Sequence, residues 1–336
     1  TGTNATWTGT TSSDWHTASN WSCATVPDIN TNVIINSGTP NMPVIDAAGA
    51  ANNISLASGA TLTLNTGNTL QVNGNFTSAG TFAANGSVNF VGSGVQTIPA
   101  ATYNSLTISG GSNKNLAGNA TINGMLTFSS GTLSIGASNL VLGTSNIIGG
   151  ANNASYIVTN GSGSVKKMGL GSASGDYTFP VGYSASSYTP VMLNNAGTTD
   201  NFSVRIINNV YSSYAGGVTP VGSPIANGVV NKTWFVSEDV AGGSNATLTL
   251  HWNGTDELPG FSRASCYVSP NSNGAWLAGP AGSAGGTDLY TMFRTDLTSF
   301  SPFGVGTSGS MLPVQLMTFK GSAKGAANIL EWNTTN

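Results

Sequence analysis

The chain has 336 residues, only 6% of them charged, and nine Lys and Arg against twelve Asp and Glu leave a net charge of -3. The cations are scattered singly except for Lys166-Lys167, so the basic footprint that nucleic acid or an anionic lipid surface requires is missing. With 39% apolar residues in regular alternation, the composition excludes a disordered polar chain and points to a folded β protein.

No apolar run approaches the roughly eighteen residues of a membrane-spanning helix. Thr1 begins without a charged and apolar leader, as a mature chain begins after signal removal. Cys23 and Cys266 are expected as two buried free thiols.

Residues 1–50 are expected to form a Trp-rich cap carrying Trp7, Trp15 and Trp21. Large apolar side chains that cover the open end of a stacked β structure prevent edge-to-edge pairing. The alternative is an exposed aromatic platform on which sugar rings stack. Downstream, Asp28, Asn30 and Asn32 have the alternate spacing that opens a calcium loop, although the Gly and the closing Glu of such a loop are missing. They are the only cofactor candidates, for calcium.

Residues 51–164 repeat themselves. Asn53-Ile54-Ser55-Leu56 aligns with Asn104-Ser105-Leu106-Thr107, Val72-Asn73-Gly74 with Ile122-Asn123-Gly124, and Gly80-Thr81-Phe82 with Gly131-Thr132-Leu133, at an offset of about fifty residues. Apolar pairs separated by one small polar residue, such as Leu62/Leu64, Leu70/Val72 and Leu126/Phe128, have the period of two of short half-buried strands. Coils of roughly 20 to 25 residues stacked as a parallel β-helix would share one core, about two coils to each repeat. No Asp or Glu occurs between Asp46 and Asp176. That suits stacking, because a charge would face its own copy about 4.8 Å away. An antiparallel sandwich, with Asn-Gly pairs at 73, 85 and 123 as hairpin turns, is the competing fold. Leu64, Val72, Phe90, Leu106, Ile122 and Phe128 hold the inward phase of their strands.

From 165 to 307 the alternating segments lengthen and read as a β-sandwich. Residues 308–336 form a partial β segment, the start of a further small sandwich, with apolar Val314, Leu316, Ile329, Leu330 and Trp332 that two strands cannot bury alone. The expected fold is therefore all-β: an N-terminal parallel β-helix, then a sandwich, then the opening of a third element.

Enzymatic chemistry finds little support. Glycoside hydrolysis needs two carboxylates about 5 to 10 Å apart, and the solenoid segment has none. In the sandwich, Glu238-Asp239 and Asp256-Glu257 are sequence neighbours, which point to opposite faces of a strand or into solvent from a loop. His251 falls on the strand face opposite Leu248, Leu250 and Trp252, where a solvent-facing imidazole is expected.

Several motifs in order resemble one family. Trp7-Thr8-Gly9, Asp14-Trp15, Asn20-Trp21, Val26-Pro27, Phe179-Pro180-Val181-Gly182, Thr233-Trp234, Ser301-Pro302-Phe303, Leu312-Pro313-Val314 and Leu330-Glu331-Trp332 resemble large extracellular proteins exported by the type IX secretion system of Bacteroidetes. The resemblance implies a secreted, non-enzymatic cell-surface protein. Its partners would be surface glycans, or its own subunits in a homo-oligomer, filament or surface layer. A glycan-binding module of a polysaccharide-processing surface protein is the alternative. In similar proteins the Leu-Pro-Val segment opens a small sandwich leading to a sorting domain, and Asn is expected where His16 stands.

Overall fold

The computed structural model describes residues 3–310, 315–324 and 327–335. It is nearly all β, with 51% of residues in strands and a β-solenoid of about eight turns, followed by further sheets. Among the described residues no helix is long and apolar enough to cross a membrane.

One coil shows how the sequence makes the solenoid. Ile54–Leu56, Thr61–Leu64 and Thr69–Val72 are three short strands on three faces, and in each the apolar positions are buried while the polar ones turn outward. Each strand pairs in parallel with its counterpart in the next coil: Ile54 with Phe76, Thr61 with Thr81, Leu70 with Val88. From the second coil onward, partners stand between 18 positions apart, as for Gln96 and Lys114, and 25, as for Leu140 and Val165. The first step is longer, from Asn4 to Asn32, because the Trp loop is inserted there.

The parallel solenoid thus prevails over the antiparallel sandwich for this segment, and the expected inward residues Leu64, Val72, Phe90, Leu106, Ile122 and Phe128 are all buried. The offset of about fifty residues is not two coils, however. Ile54 lies on the first face and Leu106, two coils on, lies on the third; Val72 on the third face aligns with Ile122 on the second. The offset advances two coils and two further faces. Every face carries the same in-out alternation and the same Asn and Gly corners, so strands of different faces resemble one another.

Those corners are built by close approach and by side-chain ladders. A Cβ on Gly80 would lie 2.4 Å from the Ala60 carbonyl oxygen, so no larger residue fits without moving backbone. Asn53 Oδ1 accepts the amide of Asn75, and Asn75 Oδ1 accepts that of Thr97; Asn119 and Asn139 repeat the pattern toward Asn139 and Ser164. These neutral ladders satisfy backbone donors between coils without facing like charges.

The solenoid runs directly into the second part. The strand Val165–Leu170 pairs in parallel with Leu140–Leu142 and antiparallel with Asp200–Asn208, so one sheet passes from coil to sandwich. It continues through Lys232–Glu238, Pro302–Thr307 and Cys266–Ser272, all antiparallel. A second antiparallel sheet of Asp176–Phe179, Val191–Asn195, Ala246–Trp252 and Tyr290–Leu297 joins it. Phe202, Val204, Ile206, Trp234, Leu248, Leu250 and Trp252 are buried in the core cluster that also contains the solenoid interior. His251 is half-buried rather than freely solvated: Nδ1 faces the Pro190 carbonyl at 3.1 Å, and burial lowers its pKa.

Gln315–Lys324 and Ala327–Thr335 form an antiparallel hairpin that, among the described residues, pairs only with itself. Leu330 in it is 55% exposed and Ile329 is half-buried. Val314 lies outside the described residues, as do the side-chain environments of Leu316 and Trp332.

Candidate functional site

The two sequence-derived site candidates in the N-terminal region have structural roles. Trp7, Trp15 and Trp21 are 1%, 0% and 2% exposed, so they offer no platform to a sugar ring. They pack edge to face, Trp7 on Trp21 at 4.9 Å and Trp15 on Trp21 at 4.8 Å between ring centroids. Their indoles are tied down where partners exist: Trp7 Nε1 donates to the Asn41 carbonyl and Trp21 Nε1 to that of Trp15. Three aromatic rings at the open end of a stack are worth more buried against it than in water, which is why the cap reading prevails.

Asp28 and Asn32 turn their side-chain oxygens to different partners. Asp28 Oδ1 accepts the Asn30 amide and the Thr31 hydroxyl, closing its own turn. Asn32 Oδ1 instead accepts from Asn52 and Asn53 in the next coil. A calcium loop needs its oxygens aimed inward at one ion, and here they are spent on the turn and the ladder.

A groove of about 2420 Å³ lies where solenoid meets sandwich, floored by the sheet that the two parts share. Its floor is one uninterrupted row across six hydrogen-bonded strands. Thr102 pairs with Thr121, Thr121 with Val141, Val141 with Lys166, Lys166 with Ser203, and Ser203 with Ser237. All six side chains are on the solvent face. Five steps at the usual strand spacing make the floor about 24 Å long. Small hydroxyls dominate it, and its one salt bridge is internally neutral. Lys166 Nζ stands 2.7 Å from Asp239 Oδ1, and that lysine, with the Asn201 amide, holds the Asp239 carboxyl below the usual carboxylate range.

The walls are more apolar. Val218, Leu277 and Phe293 are 57%, 44% and 59% exposed, and Phe293 is the one aromatic ring among the exposed large hydrophobic residues described. Two polar groups stand in the groove without protein partners. The Arg205 guanidinium lies 4.1 Å from the Phe235 ring centroid, and none of its N–H groups meets an acceptor among the described residues. Asn271 is 2% exposed, yet neither its amide nitrogen nor its oxygen is hydrogen-bonded. It follows Pro270, which pairs with Phe303, while Pro302 pairs with Phe235 and Phe235 with Arg205. Asn271 therefore shares the face of Arg205 and Phe235. Buried amides without protein partners are rare in folded proteins and are commonly served by an ordered water.

The neighbouring acids of the sandwich are occupied. Glu238 accepts from the Ser244 hydroxyl, Asp256 pairs with Lys232, and Glu257 accepts from Trp252 Nε1 and Arg263 Nε. Cys266 is buried, which pushes its thiol pKa up, while Cys23 is half-buried; both are free thiols. Of the groove residues, the sequence pattern had marked Lys166, as part of the one cation pair, and Asp239, as one of two neighbouring acids. The signal for Arg205 would have been a lone cation in a strand otherwise alternating apolar and small.

Residues 6–107 match a family model described as Domain of unknown function (DUF8693). The match runs without a break through the Trp cap and the first coils, whose strands are shared among three sheets, and stops before the sandwich side of the groove. No curated protein and no solved structure matches the chain.

Proposed function

We propose that this protein is a non-enzymatic, secreted cell-surface protein of adhesin type. Its groove holds an extended, hydroxyl-rich polymer, and a surface glycan is the chemistry that fits it. The observation that carries this reading is the continuous row from Thr102 to Ser237: a long, open, nearly uncharged floor of hydroxyls. The hydroxyls of Thr102, Thr121, Ser203 and Ser237 offer hydrogen bonds along such a floor, Phe293 offers a face on which a sugar ring can stack, and the Arg205 guanidinium makes no hydrogen bond among the described residues. The absence of catalysis is supported by the commitment of Glu238, Asp239, Asp256 and Glu257 to structural partners. Export by a type IX system, as the motif resemblance implies, is consistent with a chain so poor in charge.

The test is retention of the whole chain on a panel of neutral and acidic polysaccharides, with Phe293→Ala as the comparison. Retention by at least one polysaccharide, weakened several-fold in the variant, supports the reading. No retention, or retention with release of reducing sugar, contradicts it.

A second reading rests on the C-terminal hairpin. Its strands pair only with each other among the described residues, and Leu330 is exposed. A hairpin in that state is suited to strand addition by another subunit, which propagates head to tail if the contact does not close.

A further inference from the structure

Asp14, Trp15 and His16 occupy one turn of the cap. Trp15 is fully buried beneath Trp21, which leaves its two neighbours toward the outside. Asp14 bridges to Val44, so the turn lies beside the strand Val44–Ile45, and the residue after that strand is Asp46. One side-chain ligand atom from each of Asp14, His16 and Asp46 falls within 4.8 Å of the others.

The imidazole is held in an informative way. His16 Nε2 is 3.0 Å from the Ala48 carbonyl oxygen, which only accepts, so Nε2 carries the proton. Nδ1 is the ring nitrogen left to face the two carboxylates. It is buried and has no hydrogen-bond partner, yet it stands 3.6 Å from Asp14 Oδ1 and 3.5 Å from Asp46 Oδ1. Those distances are too long for hydrogen bonds. The two imidazole–carboxylate distances are those of edges of a coordination tetrahedron, in which ligands about 2.0–2.2 Å from a zinc ion are separated by roughly 3.3–3.6 Å, and the two carboxylates lie within 4.8 Å of each other.

We propose that Asp14, His16 and Asp46 form a binding site for a divalent transition-metal cation of the zinc class, which fastens the Trp loop to the second coil. One imidazole nitrogen with two carboxylates suits such an ion better than calcium, which takes six to eight oxygens. The supporting contacts are those expected around metal ligands. The Ala48 carbonyl fixes the imidazole, and the Thr17 hydroxyl and the His16 amide orient the Asp14 carboxylate. The fourth position opens to solvent on the side of Asp46, whose side chain is 54% exposed.

The test is thermal unfolding and titration calorimetry of the EDTA-treated full chain with zinc chloride, and separately with calcium chloride. Wild type is compared with His16→Asn and Asp46→Asn. Asp46 accepts no hydrogen bond from the described chain, so its variant keeps the fold. The expected result is one zinc site per chain and a melting temperature that climbs with the logarithm of zinc concentration. Both effects are lost in each variant, and calcium produces neither. Zinc binding of equal strength in both variants, or an equal response to calcium, overturns the proposal. So does a wild type whose melting temperature and calorimetric trace ignore zinc.

Discussion

Lys114 reaches back one coil to Gly92: its ammonium donates to the Gly92 carbonyl at 2.6 Å and to that of Gly94 at 3.1 Å, and it is wholly buried. Lys167 does the same to Gly143 and Thr144, while Gln96 and Asn146 serve Gly74 and Gly124 at related corners. The solenoid closes its coils with polar side chains that satisfy turn carbonyls, and two of these are cations with no carboxylate nearby.

Lys114→Met should therefore cost about 1–3 kcal/mol, since it strands buried carbonyls rather than removing an ion pair. Burial lowers the Lys114 pKa, so between that folded value and the unfolded value of about 10.4 the unfolded chain binds more protons, and stability rises with pH across this window. Urea midpoints at pH 7 and pH 9.5 should show wild type gaining more than the variant. Lys167, shifted in the same direction, leaves the variant part of the rise.

Phe128→Ala removes a ring that is 3% exposed and should cost about 3–5 kcal/mol in equilibrium unfolding. A loss under about 0.5 kcal/mol would put the ring on the surface and shift the register of Met125–Phe128 by one residue.

Trp21 contacts both other cap tryptophans, so Trp21→Ala should lower stability by about 3–5 kcal/mol while leaving glycan retention unchanged. The reverse outcome, with intact stability and lost retention, would restore the aromatic platform that the burial of Trp7, Trp15 and Trp21 argues against.

Deleting residues 309–336 tests the hairpin. If strand addition links subunits, light scattering should show the full chain larger than the truncated one at equal concentration. Identical size distributions exclude linkage through this segment.

The strands were legible because each needs only two or three apolar residues in alternation, as in Thr61–Leu64, and the carboxylate-free run from 47 to 175 was legible as a condition of stacking. The coil length was legible too, but the fifty-residue offset is not two whole coils, because Ile54 and Leu106, on different faces, obey the same alternation. The fate of the tryptophans hinged on packing: an apolar ring near a chain end suits a plug or a platform equally until its neighbours are placed. The groove was illegible for a deeper reason. Thr102 and Ser237 come together only because one sheet passes from parallel coils into an antiparallel sandwich, and no local pattern encodes that row. The same holds for Asp14, His16 and Asp46, which an inserted loop brings together.

The central claim is that the row from Thr102 to Ser237 floors a ligand groove. The most direct measurement is the dissociation constant of a retained polysaccharide for wild type and for Ser203→Trp, whose bulk would fill the middle of the floor. Ser203 is half-exposed on a paired strand, so the melting temperature should hold. The account predicts at least a tenfold loss of affinity with an unchanged melting temperature. Equal affinity in both proteins would contradict it.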